Sequence, residues 1–129
     1  MSTFSLQVKL CDLYLLVTGH GSRNSLNEVL EGTQQIAKVI AETNCRYLLV
    51  DYSQVKTKLP AADAFNIVRI YESKVSEFQH IVMAIIINPA EEQFDSFWEK
   101  ICRIRGYQFK IFTDPLKAEN WLKDKAEKH

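Results

Sequence analysis

Two short and almost uninterrupted apolar runs constrain the fold of this chain more than any other feature. The first is Tyr47–Asp51 and the second is Ile81–Ile87. Each run has the length of a β-strand, and near-continuous apolar character is typical of a strand that is covered on both faces. Such strands belong to parallel sheets whose connections are helices. The two runs therefore predict the centre of an α/β sheet.

The segments on either side of these runs alternate between strand and helix patterns. Phe4–Leu10 has apolar and polar residues in turn, and the apolar Leu13–Thr18 follows it. The two segments predict a hairpin whose first strand lies at or near a sheet edge. A last strand is predicted at Tyr107–Phe112. Apolar residues at helical spacing follow the predicted helix starts, which are Ser25, Pro60, the residues after Pro89, and Asp114.

The predicted element order is ββαβαβαβα. It describes a single α/β domain over residues 1–129, with a mixed, mostly parallel sheet of five strands and with four helices. The initial hairpin supplies the antiparallel pairing, and right-handed crossovers supply the parallel pairing. The charged segment Lys123–His129 at the end of the chain is expected to fray.

Charge and composition argue against several classes of function. Sixteen basic residues balance sixteen acidic residues, so no global field attracts nucleic acid or an anionic membrane. No apolar run approaches the ~20 residues that span a bilayer. The first residues lack the basic start and apolar core of a signal peptide. We therefore expect no membrane insertion and no nucleic-acid partner.

The cysteines and histidines give little sign of special chemistry. Cys11, Cys45 and Cys102 are widely spaced and odd in number, which argues against a disulfide framework and favours a reducing cytoplasm. Each cysteine is expected to pack as a small apolar residue. The three histidines have no ligand spacing to cysteines or carboxylates, so the sequence predicts no metal site and no cofactor.

Three segments carry a further signal when they are taken in order. They are Leu13–Gly19, then Leu48–Val55, and then Phe112–Pro115 leading to Ala118–Leu122. In this order they resemble the STAS-domain or SpoIIAA-like family, in which an ending of the form Ala-x-x-Trp-Leu is common. The resemblance extends over nearly the whole chain. It implies a small α/β domain with an opening hairpin and four helices.

The resemblance also implies a type of activity. Regulatory members of the family are anti-sigma factor antagonists, in which a kinase phosphorylates a serine at the N-terminus of the helix after the central strand. The phosphate adds negative charge at a positive helix end. The corresponding stretch here, Lys56–Asp63, lacks the Asp-Ser-x-Gly pattern, and Thr57 is the nearest hydroxyl, a few residues early. We predict a non-enzymatic interaction or regulatory module without the usual phosphorylatable serine.

The segment after the first apolar run is the predicted contact surface for a protein partner. We expect it to be a loop, and the ligands of open α/β sheets dock at such strand ends. Asp51 is expected to accept hydrogen bonds from loop amides. A homodimer is a further arrangement that the sequence permits. The residues of this candidate interaction surface are Val55, Lys56, Thr57, Lys58, Leu59 and Pro60.

A second polar segment precedes the first helix and is also predicted to be a loop. Glycines, a hydroxyl and an arginine beside a helix N-terminus are groups that can hold an anion. The spacing matches neither a P-loop nor a dinucleotide fingerprint, and a simple flexible turn is the competing interpretation. The residues of this candidate anion loop are Gly19, His20, Gly21, Ser22 and Arg23.

Two alternative functions remain open on the sequence alone. A small-molecule or lipid-binding domain would need a cavity among Phe65, Phe94, Trp98 and Tyr107. Helical spacing favours plain core packing for Phe94, Phe97 and Trp98 of the third helix, and it places Phe65 in the apolar stripe of the second helix. An uncharacterised hydrolase-type enzyme would use His20 in acid–base chemistry. No nucleophile with an orienting group can be assigned to His20, so no catalytic residue is predicted.

Overall fold

One five-stranded sheet organises the residues that the computed structural model describes, which are residues 4–128. Its strands are β1 (Ser5–Leu10), β2 (Leu15–Arg23), β3 (Tyr47–Thr57), β4 (Val82–Ile87) and β5 (Gln108–Phe112). They lie side by side in the order β1-β2-β3-β4-β5. β1 pairs with β2 in antiparallel fashion, and every later pair is parallel. The predicted mixed, mostly parallel sheet with a hairpin at its edge is confirmed.

A helix lies in each parallel connection, and another follows the last strand. The α-helices are α1 (Leu26–Thr43), α2 (Ala62–Lys74), α3 (Glu92–Ile104) and α4 (Pro115–Glu127). Short 3₁₀ helices at Ser76–His80 and Pro89–Glu91 add to the predicted elements. None of the helices in the described part of the chain is both long and apolar enough to cross a bilayer.

The helix ends follow the capping signals in the sequence. The Ser25 hydroxyl accepts a hydrogen bond from the Glu28 backbone N–H at 3.2 Å, as the predicted capping box requires. Asn44 ends α1 in the left-handed conformation, with φ at 55°. Asp114 caps α4 by accepting from the backbone N–H groups of Leu116 and Lys117. Ser25 and Asp114 thus fix the start of α1 and of α4 at the carboxyl edge of the sheet, and Asn44 fixes the end of α1.

α4 includes most of the segment that was predicted as a charged tail. The helix continues to Glu127, and His129 lies outside the described residues. Two ion pairs at helical spacing support this last part: Lys123 with Glu119 at 2.7 Å, and Lys128 with Asp124 at 3.1 Å. Pairs of this kind stabilise a helix by a few tenths of a kcal/mol each.

The helices divide unequally between the two faces of the sheet. Successive right-handed crossovers move in one direction across the strands, which leaves α1, α2 and α3 on the same face. The larger core lies there, with Ile36 of α1, Tyr71 of α2 and Trp98 of α3 among its buried side chains. α4 covers the opposite face with Ala118 and Leu122, which pack in a smaller core.

A β-bulge separates the regular part of β3 from its end. Thr18 pairs with Asp51, whereas His20 pairs with Gln54, so β3 has one residue more than β2 between these pairs. Asp51 stabilises the bulge, because its Oδ1 accepts from the Ser53 backbone N–H at 3.1 Å and from the Ser53 hydroxyl at 2.6 Å. The predicted amide hydrogen bond to Asp51 is confirmed, in a strand instead of a loop.

Beyond the bulge, the two segments predicted as loops are largely strand. Gly19–Arg23 lies in β2, and Val55–Thr57 lies in β3. They continue the parallel ladder as far as the pair of Arg23 with Thr57. The backbone N–H of Lys58 then donates to the Arg23 carbonyl at 2.8 Å. The loop predictions were wrong because ladder hydrogen bonds satisfy these backbone groups, which outweighs the turn propensity of a polar, glycine-containing sequence.

Candidate functional site

The last residue of β2 places a guanidinium group between the sheet and the helices. Arg23 donates through Nε at 3.2 Å and through Nη2 at 2.8 Å to Oγ1 of Thr57, its partner in the ladder. Its Cζ also lies 5.1 Å from the ring centre of Tyr52 and 5.9 Å from that of Phe4. Hydrogen bonds and cation–π contacts together hold the charged group of this half-buried side chain.

The Tyr52 ring that supports Arg23 packs against a glycine. A Cβ atom on Gly19 would lie 2.7 Å from Cε1 and 2.8 Å from Cδ1 of Tyr52, which is closer than two carbon atoms can approach. Phe4 meets the same ring edge-on, with 5.9 Å between the ring centres. Burial raises the pKa of Tyr52, and Arg23 opposes that shift. Gly19 therefore gives room to the ring on which the arginine rests.

A carboxyl group on α3 faces the same region. Asp95 is half-buried, and burial raises its pKa to about 6, a shift that Arg23 opposes and Glu91 increases. Within residues 4–128, no group donates a hydrogen bond to this carboxyl, and no ion pair within 4.0 Å includes it. An acid in this position changes its charge close to neutral pH.

Arg23, Thr57 and Asp95 lie at the polar end of a cavity of about 50 Å³ between the sheet and helices α1, α2 and α3. Two further polar groups in its wall have partners. The Thr33 hydroxyl donates to a backbone carbonyl at 2.8 Å, and the Tyr71 hydroxyl accepts from the Trp98 indole at 3.2 Å. The remaining wall is mainly apolar, and it includes Val29, Ile36, Ile85, Ile87, Phe94 and Ile111.

The candidate anion loop does not form one site. All of its residues lie on β2, and only Arg23 lines the cavity. Gly19 is buried under the Tyr52 ring, Gly21 has φ at 101°, Ser22 is half-buried and His20 is exposed. Among the described residues, no hydrogen bond or ion pair orients the His20 imidazole. Arg23 therefore faces the cavity, whereas His20, which the hydrolase alternative would use, faces solvent.

The structure also divides the candidate interaction surface by the direction of its side chains. Thr57 is half-buried against Arg23, and Leu59 packs at the margin of the larger core. The inward-facing members are Val55, Thr57 and Leu59, whereas the exposed members are Lys56, Lys58 and Pro60. Ala61 and Ala62, which follow at the start of α2, are exposed as well. Two lysines therefore dominate the accessible part of this surface.

No family model and no curated protein match this sequence, but solved structures match its fold. An anti-sigma factor antagonist from Mycobacterium paratuberculosis has a TM-score of 0.66 at 13% identity, covering 95% of this chain and 99% of its own. An uncharacterised protein from Shewanella loihica with a SpoIIAA-like fold has a TM-score of 0.59 at 16% identity, covering 95% of both chains. This chain has a SpoIIAA-like fold.

RsbS from Moorella thermoacetica, with a glutamate in place of a serine, is a third structure with the SpoIIAA-like architecture of this chain. Its TM-score is 0.62 at 17% identity, and the match covers 95% of this chain and 97% of the other. The three matches extend over nearly the same length, as the sequence resemblance predicted. The predicted fold is therefore confirmed by structures whose sequences differ widely from this one.

The SpoIIAA-like fold brings together polar residues that the sequence analysis did not connect. Arg23, Thr57 and Asp95 come from β2, β3 and α3, and no spacing within one segment links them. One usable signal was the alternation of Val55, Thr57 and Leu59 with lysines, a period of two that is typical of a half-buried strand. That signal places Thr57 inward, although it says nothing of Asp95.

Replacing Asp95 by asparagine is expected to raise the free energy of unfolding by about 1 kcal/mol near neutral pH, and to change it little near pH 4. The folded-state pKa of about 6 lies above the usual 3.8. Between these values the native protein binds more protons than the unfolded chain, so stability falls as the pH rises through this window. The expected figure is well below the full linkage value, because solvent screens a half-buried group.

Urea denaturation of the wild type and of Asp95→Asn at both pH values measures this difference. Glu92→Gln is the matched control, since Glu92 is exposed on the first turn of the same helix. An Asp95→Asn variant with no gain near neutral pH would show that this carboxyl stays well solvated.

Proposed function

We propose that this chain is a non-enzymatic regulatory module that binds a protein partner at the carboxyl edge of its sheet. The observation that carries the proposal is the SpoIIAA-like fold, shared over 95% of this chain with an anti-sigma factor antagonist. The edge itself supports it, because open α/β sheets present their ligand-binding surfaces at the carboxyl ends of the strands. The proposal needs no cofactor, and it assigns the module to the cytoplasm, in keeping with cysteines that form no disulfide.

The exposed segment between β3 and α2 is the proposed contact surface. Lys56 and Lys58 present two positive charges there, and Pro60 with Ala61 and Ala62 presents a small apolar surface beside them. Such a surface complements a partner with an acidic patch around a shallow apolar contact. The rigid end of β3 supports the lysines, since the ladder with β2 continues to Thr57.

The proposed module works without a phosphorylation switch at the start of α2. The residue at the N-cap is Ala61, which has no side-chain hydroxyl, and no side chain caps this helix end. Thr57, the nearest hydroxyl, accepts two hydrogen bonds from Arg23 and lines the cavity. A kinase would have to break these contacts to reach Oγ1. The geometry therefore supports docking that a phosphate at this position does not control.

The lipid-binding alternative has less support. Pockets that enclose a drug-sized ligand have volumes of roughly 300–1,000 Å³, whereas the cavity here has about 50 Å³. Of the four aromatic residues among which this alternative would need a cavity, Phe94 and Trp98 line the one observed, whereas Phe65 is 40% exposed on α2 and Tyr107 does not contribute to the wall. Phe97, expected in the core, is 43% exposed. A lipid chain would need the helices to separate.

The hydrolase alternative rests on His20 and has no support from the geometry. The imidazole is exposed on β2, and only Arg23 of its segment reaches the cavity. We expect His20→Ala to leave any hydrolase activity in a broad substrate screen unchanged. A loss of activity in this variant would favour the enzyme over the interaction module.

Affinity purification from the native source tests the proposed surface. We expect Lys56→Glu with Lys58→Glu to reduce recovery of the partner by about tenfold or more, because both charges face the acidic patch of the partner. Lys38→Glu with Lys74→Glu is the matched control, because both lysines are exposed on α1 and α2 toward the opposite edge. Equal recovery with both double variants, or no specific partner with the wild type, would contradict the proposal.

A further inference from the structure

The cavity beneath Arg23 combines one charged end with largely apolar walls. We propose that it binds a small monocarboxylate, whose carboxylate pairs with Arg23 and whose short alkyl chain lies among Val29, Ile36, Ile85 and Phe94. This inference goes beyond the docking function, because it concerns an internal site and not the exposed lysines. It stands on the geometry of Arg23, the lack of a partner for Asp95, and the size of the cavity.

The guanidinium of Arg23 is oriented to bind a carboxylate. A guanidinium has five N–H groups, and two of them donate to Thr57 Oγ1. The Tyr52 ring lies 5.1 Å from Cζ and limits the orientation of the guanidinium. The N–H groups that do not donate to Thr57 remain for a ligand in the cavity that Arg23 lines. A planar fork of N–H groups matches the two oxygens of a carboxylate, which favours this class of anion.

Asp95 supplies the second polar contact. Asp95 is half-buried beside the cavity, and among the described residues no group donates a hydrogen bond to its carboxyl, so its oxygens are open to a ligand. In its protonated form Asp95 can donate to one oxygen of the bound carboxylate, and the ligand then gives the carboxyl its partner. The charged groups that face Asp95 are Arg23 of β2 and Glu91 of the preceding 3₁₀ helix. Binding of the anion therefore takes up one proton from solvent at Asp95.

The volume of the cavity sets the length of the ligand. One water molecule, which is a single heavy atom, needs a cavity volume of about 10–15 Å³. The cavity of about 50 Å³ therefore holds a ligand of roughly four or five heavy atoms. Acetate and propionate have this size. The Thr33 hydroxyl donates to the Val29 carbonyl, the Tyr71 hydroxyl accepts from the Trp98 indole, and neither group is charged. The inner wall therefore favours an alkyl chain over a second charged group, which disfavours inorganic phosphate and a zwitterion such as glycine.

Nitrogen-15 NMR titration of the full chain tests the site, with propionate, phosphate and glycine added at constant ionic strength. We expect saturable shifts at Arg23, Thr57 and the Trp98 indole with propionate, and about tenfold weaker binding or none with the other two. Affinity for propionate should increase as the pH falls from about 7.5 to about 5.5, since a proton is taken up with the ligand. Absence of saturable shifts, or equal binding of phosphate or glycine, would overturn the proposal.

Three variants separate the roles of Arg23 and Asp95, and a fourth is the control. Arg23→Gln should weaken propionate binding by about tenfold or more. Arg23→Lys keeps the charge but lacks the planar fork of N–H groups, so its affinity should lie between those of the wild type and Arg23→Gln. Asp95→Asn should bind propionate with an affinity that no longer changes with pH. Lys74→Gln, which removes an exposed positive charge at the opposite edge of the sheet, should bind like the wild type. Should Arg23→Gln fail to fold, Arg23→Lys and the pH profile of the wild type still decide the question, and a profile without pH dependence would contradict the role of Asp95.

Discussion

Replacing Gly19 by alanine is expected to lower the free energy of unfolding by about 2 kcal/mol, within the usual cost of overpacking a core. The new methyl group would lie 2.7 Å from Cε1 of Tyr52 and 3.0 Å from Cγ2 of Val55. The ring cannot retreat easily, because Phe4 packs edge-on against it and Arg23 lies over it. Urea denaturation followed by circular dichroism measures the loss.

A double-mutant cycle isolates the clash at Gly19. In a Tyr52→Ala background the ring is gone, and we expect Gly19→Ala to cost less than about 0.5 kcal/mol, so that the two substitutions are strongly non-additive. An equal cost of Gly19→Ala in both backgrounds would show that the glycine is needed for another reason. The single variant Gly19→Ala should also weaken propionate binding, since a displaced Tyr52 ring no longer supports the Arg23 guanidinium.

Replacing Leu122 by alanine is expected to lower the free energy of unfolding by about 3 kcal/mol, in the range for a leucine removed from a core. Leu122 is fully buried, and it packs with Ala118 in the smaller core under α4. This core also contains Leu49 of β3 and Ile86 of β4. Because α4 covers the face opposite the other helices, no second helix can fill the space that a lost leucine leaves.

Leu116→Ala is the matched control on the same helix. Leu116 is 65% exposed, so the same change in side chain should alter stability by less than about 0.5 kcal/mol. Chemical denaturation of both variants provides the comparison. A cost of Leu122→Ala as small as that of Leu116→Ala would mean that α4 adds little to the stability of the sheet.

Much of this fold could be predicted from the sequence, because its central strands and helix starts have strong local signals. Ile81–Ile87 is a continuous apolar run, and its strand is buried throughout. Ser25 and Asp114 cap their helices as the patterns indicate. Phe65 and Phe97 were misplaced because helical spacing fixes which residues share a face, and not how far a neighbouring helix covers that face.

The ends of β2 and β3 could not be predicted in the same way. Gly19 and Gly21 are turn signals in the sequence, yet both lie in β2, where Gly19 pairs with Leu6 of β1 and Gly21 pairs with Val55 of β3. The bulge at Ser53 interrupts the period of two, and local hydrogen bonds to Asp51 stabilise it. Pairing between strands far apart in sequence decided this region, so the polar end of the cavity became visible only in three dimensions.

The candidate interaction surface and the cavity have two residues in common, Val55 and Thr57. Thr57 follows Lys56 on β3, accepts from Arg23 on one side and precedes the exposed Lys58 on the other. A ligand that draws the guanidinium toward the cavity would alter the hydrogen bonds to Thr57 Oγ1. The two proposals can nevertheless fail independently, because charge reversal at the lysines leaves the cavity intact, and Arg23→Lys leaves the exposed lysines in place.

Site-specific photocrosslinking in the native source tests the central claim most directly, which is that a protein partner docks at the carboxyl edge. A photoreactive amino acid would replace Lys58 in one version and Lys74, at the opposite edge, in the other; both positions are exposed. We predict one specific protein adduct from position 58 and none of that mass from position 74. An adduct from position 74 alone, or no adduct from position 58 under conditions in which the protein stays folded, would contradict docking at this edge.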